Sequence, residues 1–263
     1  TSTKNKRSCE VAVSRILSTA SKIVFVAVSF IDAEVIGKTG LKKATFAEKL
    51  FTAPVAAAAG EAPDSVAPAF EQVNDTTSKN ILIIGDSMLE GLNPRLAAYA
   101  EANGHRLNSV IWYSSTSEYW GTCDTLKVFL RRFKPDYIFI SLGGNELFVK
   151  NIEEKRAAYV RNFLDQIGDI PYLWIGPPNW KEDTGINRLI AKMVKPGCFF
   201  LSNGMTFERE KDGAHPTRRS AALWFDSIAR WMPANCARPI KMKRPDDSVK
   251  ARPERVVVLQ PKH

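Results

Sequence analysis

The sequence predicts an α/β domain in which helices flank a parallel sheet. Three observations predict this fold class. Short apolar runs recur between residues 80 and 235, segments of helical periodicity separate them, and polar residues gather where the apolar runs end. Strands that alternate with helices are typical of βαβ units, and their strands are buried on both faces.

Each predicted strand is a short apolar run that ends at a glycine, a proline or a polar residue. In chain order these runs are residues 81–84, 107–113, 137–142, 172–175 and 198–201. The helices are predicted from apolar residues three and four positions apart, as in Leu89, Leu92 and Leu96. They cover residues 88–103, 125–133, 152–167, 186–194 and 217–231.

The chain outside residues 80–235 has a different composition. Residues 1–52 combine a basic start with an apolar run at 23–31, as in a signal peptide or signal anchor. The run is shorter than the roughly 20 residues that a membrane span needs, and a buried strand or helix is the alternative. Residues 53–79 are rich in Ala, Pro and Ser and predict a linker. Residues 236–263 predict a basic tail.

The net charge of +9 lies at the two ends of the chain. Residues 1–22 carry +4 and residues 238–263 carry +5, so the residues between them sum to zero. A nucleic-acid-binding domain carries its basic surface on the folded part, and we therefore predict no nucleic-acid partner. Because these ends carry the excess charge, deletion of residues 1–75 and 240–263 is expected to leave a soluble, active core. The alternative is that residues 256–259 add an edge strand to the sheet.

The cysteines and histidines give no metal-site pattern. The four cysteines include no CxxC pair, and the chain has three histidines. We therefore predict neither a metal nor another cofactor. A single disulfide among Cys123, Cys198 and Cys236 is compatible with export. The expected location is exported, either periplasmic or attached to the membrane through residues 1–52, and a cytoplasmic location is the alternative.

Ser87 directly follows the first predicted strand and precedes a helix. In parallel sheets, ligands bind at the carboxyl ends of the strands, and a helix N-terminus there stabilises negative charge. This position suits a serine nucleophile. The alternative is that Ser87 or Asp86 only caps the helix, since both residue types are preferred N-caps.

Asp212 and His215 follow the fifth predicted strand and lie three residues apart in a loop-like stretch. A serine nucleophile needs a base to take its proton and a third group to orient that base. An imidazole and a nearby carboxylate can fill these roles. A surface loop that happens to contain Asp and His is the alternative.

Asn145 follows two glycines at the end of the third predicted strand. Glycines allow a sharp bend and a close approach of the backbone to a ligand. A side-chain amide at this place can donate to an oxyanion. Alternatively, Asn145 is a turn residue, because asparagine favours turns.

These segments resemble three sequence blocks of the SGNH/GDSL hydrolases. The blocks are Gly85-Asp86-Ser87, Gly143-Gly144-Asn145 and Asp212-Gly213-Ala214-His215, and the resemblance covers roughly residues 80–232. It implies a flavodoxin-like three-layer α/β/α fold, with Ser87 as nucleophile, His215 as base and Asp212 as its orienting group. It also implies an oxyanion hole formed by the Ser87 backbone N–H, the Asn145 amide and a backbone N–H after the second strand.

The sequence departs from the family pattern at two positions. The family usually has a glycine after the second strand, and that position falls near Thr116 here. Threonine still offers a backbone N–H, but its Cβ excludes some glycine conformations. The third block usually continues with Asp after its Asn, whereas this chain has Glu146. Since this residue is not the acid of the triad, little effect is expected.

The resemblance implies a serine ester hydrolase. Aromatic residues fall in the loops at the strand ends: Trp112, Tyr113, Tyr119, Trp120 and Trp180. Aromatic faces suit sugar rings, so Trp120 and Trp180 are predicted to bind substrate, with ordinary core packing as the alternative. The predicted reaction removes acetyl or other short acyl groups from a carbohydrate or cell-envelope glycan. An O-acetyltransferase with the same triad and a non-catalytic glycan- or protein-binding module are the alternatives.

Overall fold

A sheet of six strands runs through residues 75–261, the part of the chain that the computed structural model describes. The strands are β1 (Asn80–Gly85), β2 (Arg106–Trp112), β3 (Tyr137–Ser141), β4 (Tyr172–Ile175), β5 (Phe199–Phe200) and β6 (Arg255–Leu259). Their order is β5-β4-β3-β1-β2-β6, and all neighbouring pairs are parallel. The first five strands have the flavodoxin-like order 2-1-3-4-5, and the predicted fold class is confirmed.

Helices cover both faces of this sheet. They are α1 (Leu89–Ala102), α2 (Ser117–Gly121), α3 (Thr125–Phe133), α4 (Ile152–Ile167), α5 (Ile186–Met193) and α6 (Arg218–Asn235). Apolar residues of α1 and α6 pack on one face of the sheet, and those of α3, α4 and α5 pack on the other. The short helix α2 was not predicted from the sequence.

The central strand β1 shows why the strands appear in the sequence as continuous apolar runs. Leu82 and Ile84 belong to the core under α3, α4 and α5, whereas Ile81 and Ile83 belong to the core under α1 and α6. All four side chains are fully buried. A strand that is covered on both faces has no polar alternation, because neither of its faces contacts water.

The predicted end of the domain at residue 235 is corrected by β6. This strand pairs with β2 from Arg255↔Asn108 to Leu259↔Trp112. Leu259 is buried, and so is Ile240, which forms a bridge with Asp75. The segment predicted as a basic tail therefore contributes to the sheet and to the core. Residues 256–259, which the sequence allowed as a possible edge strand, include three β-branched valines that suit this position.

Predictions for residues 1–52 and for most of the linker at 53–79 lie outside the described residues. The last part of that linker is described, and there the Lys79 backbone N–H donates to His105 Nδ1 at 3.0 Å. Cys198 and Cys236 are buried and are not joined by a disulfide. Within residues 75–261, no helix is both long enough and apolar enough to cross a membrane.

Candidate active site

The turn after β1 places Ser87 at the carboxyl edge of the sheet. Gly85 lies so close to β3 that a Cβ on it would come within 1.8 Å of the Ser141 carbonyl oxygen. The next backbone N–H, that of Asp86, donates to the same oxygen at 3.0 Å. Glycine is therefore required at residue 85 because the neighbouring strand leaves no room for a side chain.

Asp86 is the residue that holds this turn. Its carboxylate is buried and accepts hydrogen bonds from the backbone N–H groups of Met88 at 3.0 Å and Gly144 at 3.1 Å. Burial raises the pKa of Asp86 to about 6, although these two hydrogen bonds offset part of the effect. Since Asp86 satisfies the backbone at the start of α1, the Ser87 hydroxyl is available for another contact.

That contact is with His215, and it completes a chain of three side chains. Ser87 Oγ lies 2.8 Å from His215 Nε2, and His215 Nδ1 lies 2.6 Å from Asp212 Oδ2. A carboxylate only accepts hydrogen bonds, so Nδ1 of a neutral imidazole carries the proton and Nε2 accepts from the serine hydroxyl. This is the geometry in which an imidazole can take a proton from serine.

The loop that carries Asp212 and His215 is folded by its own hydrogen bonds. Asp212 Oδ1 accepts from the backbone N–H groups of Ala214 and His215 at 2.8 and 3.0 Å, and Gly213 has a φ of 69°. These backbone hydrogen bonds, with that of the His215 ring, lower the pKa of Asp212 to about 2. The carboxylate is therefore ionised throughout the neutral range.

Arg209 connects this loop to the segment after β4, a contact that no sequence pattern predicted. Its guanidinium donates to the backbone carbonyls of Ala214, Pro178 and Asn179. The Arg209 and Pro216 backbones form an antiparallel bridge on the two sides of the loop. The position of His215 thus depends on a side chain whose partners are backbone atoms, which no sequence pattern records.

Asn145 lies in a short 3₁₀-helix, Gly144–Glu146, after β3. Its amide nitrogen donates to the Ser115 carbonyl at 3.0 Å, which leaves the second amide hydrogen for another acceptor. Gly143 has a φ of 123°, a conformation that favours glycine. Asn145 therefore connects the loops after β3 and β2, which neither the oxyanion nor the turn interpretation anticipated.

Thr116, the residue after Ser115, is the N-cap of α2 and has an extended backbone. Its side-chain oxygen accepts from the Tyr119 backbone N–H at 3.4 Å. Among the described residues, the backbone N–H groups of Thr116 and Ser87 donate no hydrogen bond. These two groups were predicted as oxyanion donors, and for Ser87 this role stays a prediction. The Thr116 N–H belongs to the trans peptide whose Ser115 carbonyl faces the Asn145 amide, so it points away from that amide.

Glu146 has more contacts than the sequence suggested. It is fully buried and accepts from Ser117 N and Ser117 Oγ, each at 2.8 Å, and from Arg156 Nε at 2.8 Å. Burial raises the pKa of Glu146, and the bonds from Ser117 and the charge of Arg156 act against this shift. The only signal in the sequence was the departure from the family's usual Asp.

The prediction that Trp120 binds substrate is corrected by its burial. Trp120 has no exposed surface, packs edge-on against Trp112 and Phe163, and donates from Nε1 to Ser115 Oγ at 3.0 Å. It belongs to the core because α2 turns its side chain inward, which could not be foreseen without that helix. Through its hydrogen bond to Ser115, Trp120 supports the loop after β2 from the core side.

Trp180, the other predicted substrate residue, lies at the site edge and is partly exposed. Its Nε1 donates to the Gly144 carbonyl at 2.9 Å, next to the N–H that bonds Asp86. Phe148, which was not predicted, packs edge-on against it and is 52% exposed. Lys181 Nζ lies 4.7 Å from the centroid of the Trp180 ring. An exposed aromatic surface therefore borders the loop beside Ser87.

Within residues 75–261, no group of three or more His, Cys, Asp or Glu side chains is arranged to hold a metal ion.

No family model matches the sequence, and no curated protein matches it. The fold is similar to a crystal structure of the psychrotrophic esterase EstA from Pseudoalteromonas sp., inhibited by monoethylphosphonate. The two chains are 16% identical, the match covers 58% of this chain and 98% of that chain, and the TM-score is 0.38. The functional argument therefore rests on the geometry of the site.

Proposed function

We propose that this protein is a serine ester hydrolase of the SGNH type that removes short acyl groups. The observation that carries the proposal is the hydrogen-bonded chain Ser87–His215–Asp212, with distances of 2.8 and 2.6 Å. These three side chains lie at the carboxyl edge of a parallel sheet, where such folds bind their ligands. The His215 and Asp212 side chains are 36% and 51% exposed, so a substrate can reach the site.

In the proposed reaction, Ser87 Oγ attacks the ester carbonyl while its proton passes to His215 Nε2. The tetrahedral intermediate then collapses, the imidazolium donates that proton to the leaving alcohol, and an acyl-enzyme remains. A water molecule attacks the acyl-enzyme with His215 again as base, which releases the acid and restores the serine. Asp212, ionised at neutral pH, stabilises the imidazolium and keeps Nδ1 protonated.

The negative charge of the intermediate needs donors that are already in place. The backbone N–H of Ser87 and the second amide hydrogen of Asn145 are the proposed donors. One such donor contributes roughly 3–4 kcal/mol in acyl transfer. Asp86 and Gly144 support this arrangement, since their hydrogen bond at 3.1 Å joins the Ser87 turn to the Asn145 loop.

The proposed substrate is an acylated carbohydrate or envelope glycan. Phe148 and Trp180 support this part of the proposal, because they expose aromatic surface beside the Ser87 and Asn145 loops. Aromatic rings provide an apolar face against which the C–H face of a sugar can pack. Export to the periplasm or attachment to the membrane through residues 1–52 belongs to the same proposal, and so does the absence of nucleic acid among its partners.

The decisive experiment is ester hydrolysis by the full chain with acetyl, butyryl and octanoyl p-nitrophenyl esters. We expect turnover that is fastest with acetyl and absent in Ser87→Ala. Ser227→Ala is the matched control, because within residues 75–261 that hydroxyl donates its hydrogen bond to the Leu223 carbonyl of its own helix, α6. Turnover that persists in Ser87→Ala would refute the assignment of the nucleophile. No turnover by the wild type would favour the binding-module alternative.

A second assay tests the glycan. Acetate release from an acetylated polysaccharide is measured for the wild type and for Phe148→Ala, which removes the ring that packs against Trp180 and Lys181. We expect Phe148→Ala to raise KM for the polysaccharide and to leave the chromogenic acetate unaffected. Equal KM values for the polysaccharide would remove Phe148 from the binding surface. An acetylated sugar product that forms only when a free sugar is added would indicate the acetyltransferase.

A further inference from the structure

Glu146 is a fully buried carboxylate at the site edge that the proposed triad does not use. Its oxygens bind Ser117 twice, through the backbone N–H and the hydroxyl. We propose that Glu146 is a positioning residue that holds the loop after β2, and with it the Ser115 carbonyl that orients the Asn145 amide towards the oxyanion. This inference rests on the proposed function and assigns a role in it to a residue outside the three sequence blocks.

The contacts on both sides of Thr116 support this role. The Asn145 amide holds the preceding residue through the Ser115 carbonyl at 3.0 Å, and Glu146 holds the following residue, Ser117, at 2.8 Å. Two consecutive residues of the 3₁₀-helix after β3 therefore fix the peptide groups before and after Thr116. Loss of the Glu146 contact with Ser117 would therefore let the Ser115 carbonyl move and the Asn145 amide turn away from the oxyanion.

A carboxylate suits this position better than any neutral side chain. It accepts at both oxygens, and all three of its partners here are donors. Glutamine would keep one accepting oxygen and direct an NH₂ group towards another donor. Arg156 balances the buried charge, and its second contact, from Nη1 to Glu118 Oε2 at 2.8 Å, joins α4 to α2. The network therefore links the loop to two helices.

The test compares Glu146→Gln with Asp226→Asn in the full chain. Asp226 is also buried and bonded to an arginine, but it lies between α1 and α6. We expect Glu146→Gln to lower kcat by roughly 10- to 100-fold with KM nearly unchanged, because misplacement of a catalytic group has costs of this size. Asp226→Asn should lower the melting temperature and leave kcat nearly intact.

A second variant, Ser117→Ala, removes the hydroxyl contact and retains the backbone one. It should also lower kcat at unchanged KM, by less than Glu146→Gln, and it decides the question if Glu146→Gln does not fold. Wild-type kcat in the folded variants, or an equal loss in Asp226→Asn, would overturn the positioning role. Absence of Ser87-dependent turnover in the wild type would instead overturn the proposed function itself.

Discussion

Asp86 and Asp226 are both buried carboxylates, but different partners hold them. Asp86 accepts hydrogen bonds from two backbone N–H groups, and burial raises its pKa to about 6. Asp226 accepts from Arg95 Nε at 2.7 Å and from the Tyr99 hydroxyl at 3.0 Å. Burial alone would raise its pKa too, yet these partners leave the pKa of Asp226 below its ordinary value.

This difference separates two regions of the molecule. The site edge, formed by Asp86, Ser87, Asn145 and the Asp212–His215 loop, is held mainly by hydrogen bonds to the backbone. The C-terminal clamp, formed by Arg95, Asp226, Arg244 and Asp247, is a group of ion pairs that ties residues 244–247 to α1 and α6. We infer that the first region sets the chemistry and the second sets the stability, and four predictions test this division.

The largest effect is expected from the side chains of the triad. His215→Ala should lower kcat by roughly 10⁴- to 10⁶-fold, since a serine hydroxyl without a base is a weak nucleophile. Asp212→Ala should lower it less, because the imidazole still acts when it is poorly oriented. Both variants should melt close to the wild type, as both side chains are at the surface. A greater loss in Asp212→Ala than in His215→Ala would contradict these roles.

The next effect concerns residues 240–263, which the charge distribution alone predicted to be dispensable for folding. Deletion of residues 240–263 should lower the free energy of unfolding by roughly 3–6 kcal/mol, from the burial of Ile240 and Leu259 alone. The loss of β6 from the sheet and of the clamp adds to this. Urea unfolding measures the effect, with deletion of residues 1–74 as the comparison. A shortened chain that unfolds at the wild-type urea concentration would show that the clamp is dispensable.

Asn145 lies at the site edge and should affect the reaction more than the fold. Asn145→Ala should lower kcat by roughly 10²- to 10³-fold with little change in KM, if its amide stabilises the transition state. Asn145→Asp should be at least as damaging, because it places a negative charge towards the oxyanion. A variant that loses stability but keeps kcat would mean that the contact with Ser115 is the whole role of Asn145.

The smallest effect is a pH dependence of stability from Asp86. Its pKa is raised from 3.8 to about 6 in the folded protein, so its contribution to stability is present below pH 4 and is lost as the pH rises through 6. The cost at neutral pH is at most about 3 kcal/mol. In Asp86→Asn, the free energy of unfolding should differ less between pH 5 and pH 7.5 than it does in the wild type. If the variant shows the same difference as the wild type, the pH dependence of stability comes from other groups, such as Glu146.

Much of the fold and three of the site residues could be predicted from the sequence, because the signals are local. A strand buried on both faces is a continuous apolar run, as residues 81–84 show, and all parallel strands end at one edge of the sheet. Ser87, Asp212 and His215 each follow a strand, so a rule about strand ends was enough to expect them together. Their hydrogen bonds bear out that expectation of proximity.

The tertiary structure decided the features that depend on contacts between distant segments. Trp120 was expected to face a ligand, but the unpredicted helix α2 places it in the core. Residues 256–259 could be either part of a charged tail or an edge strand, and the open edge of β2 decided that they pair. Glu146 and Arg209 contact residues 29 and 31 positions away, respectively. Periodicity records which face of its own element a residue occupies, and only the folded chain determines which residue from elsewhere meets it there.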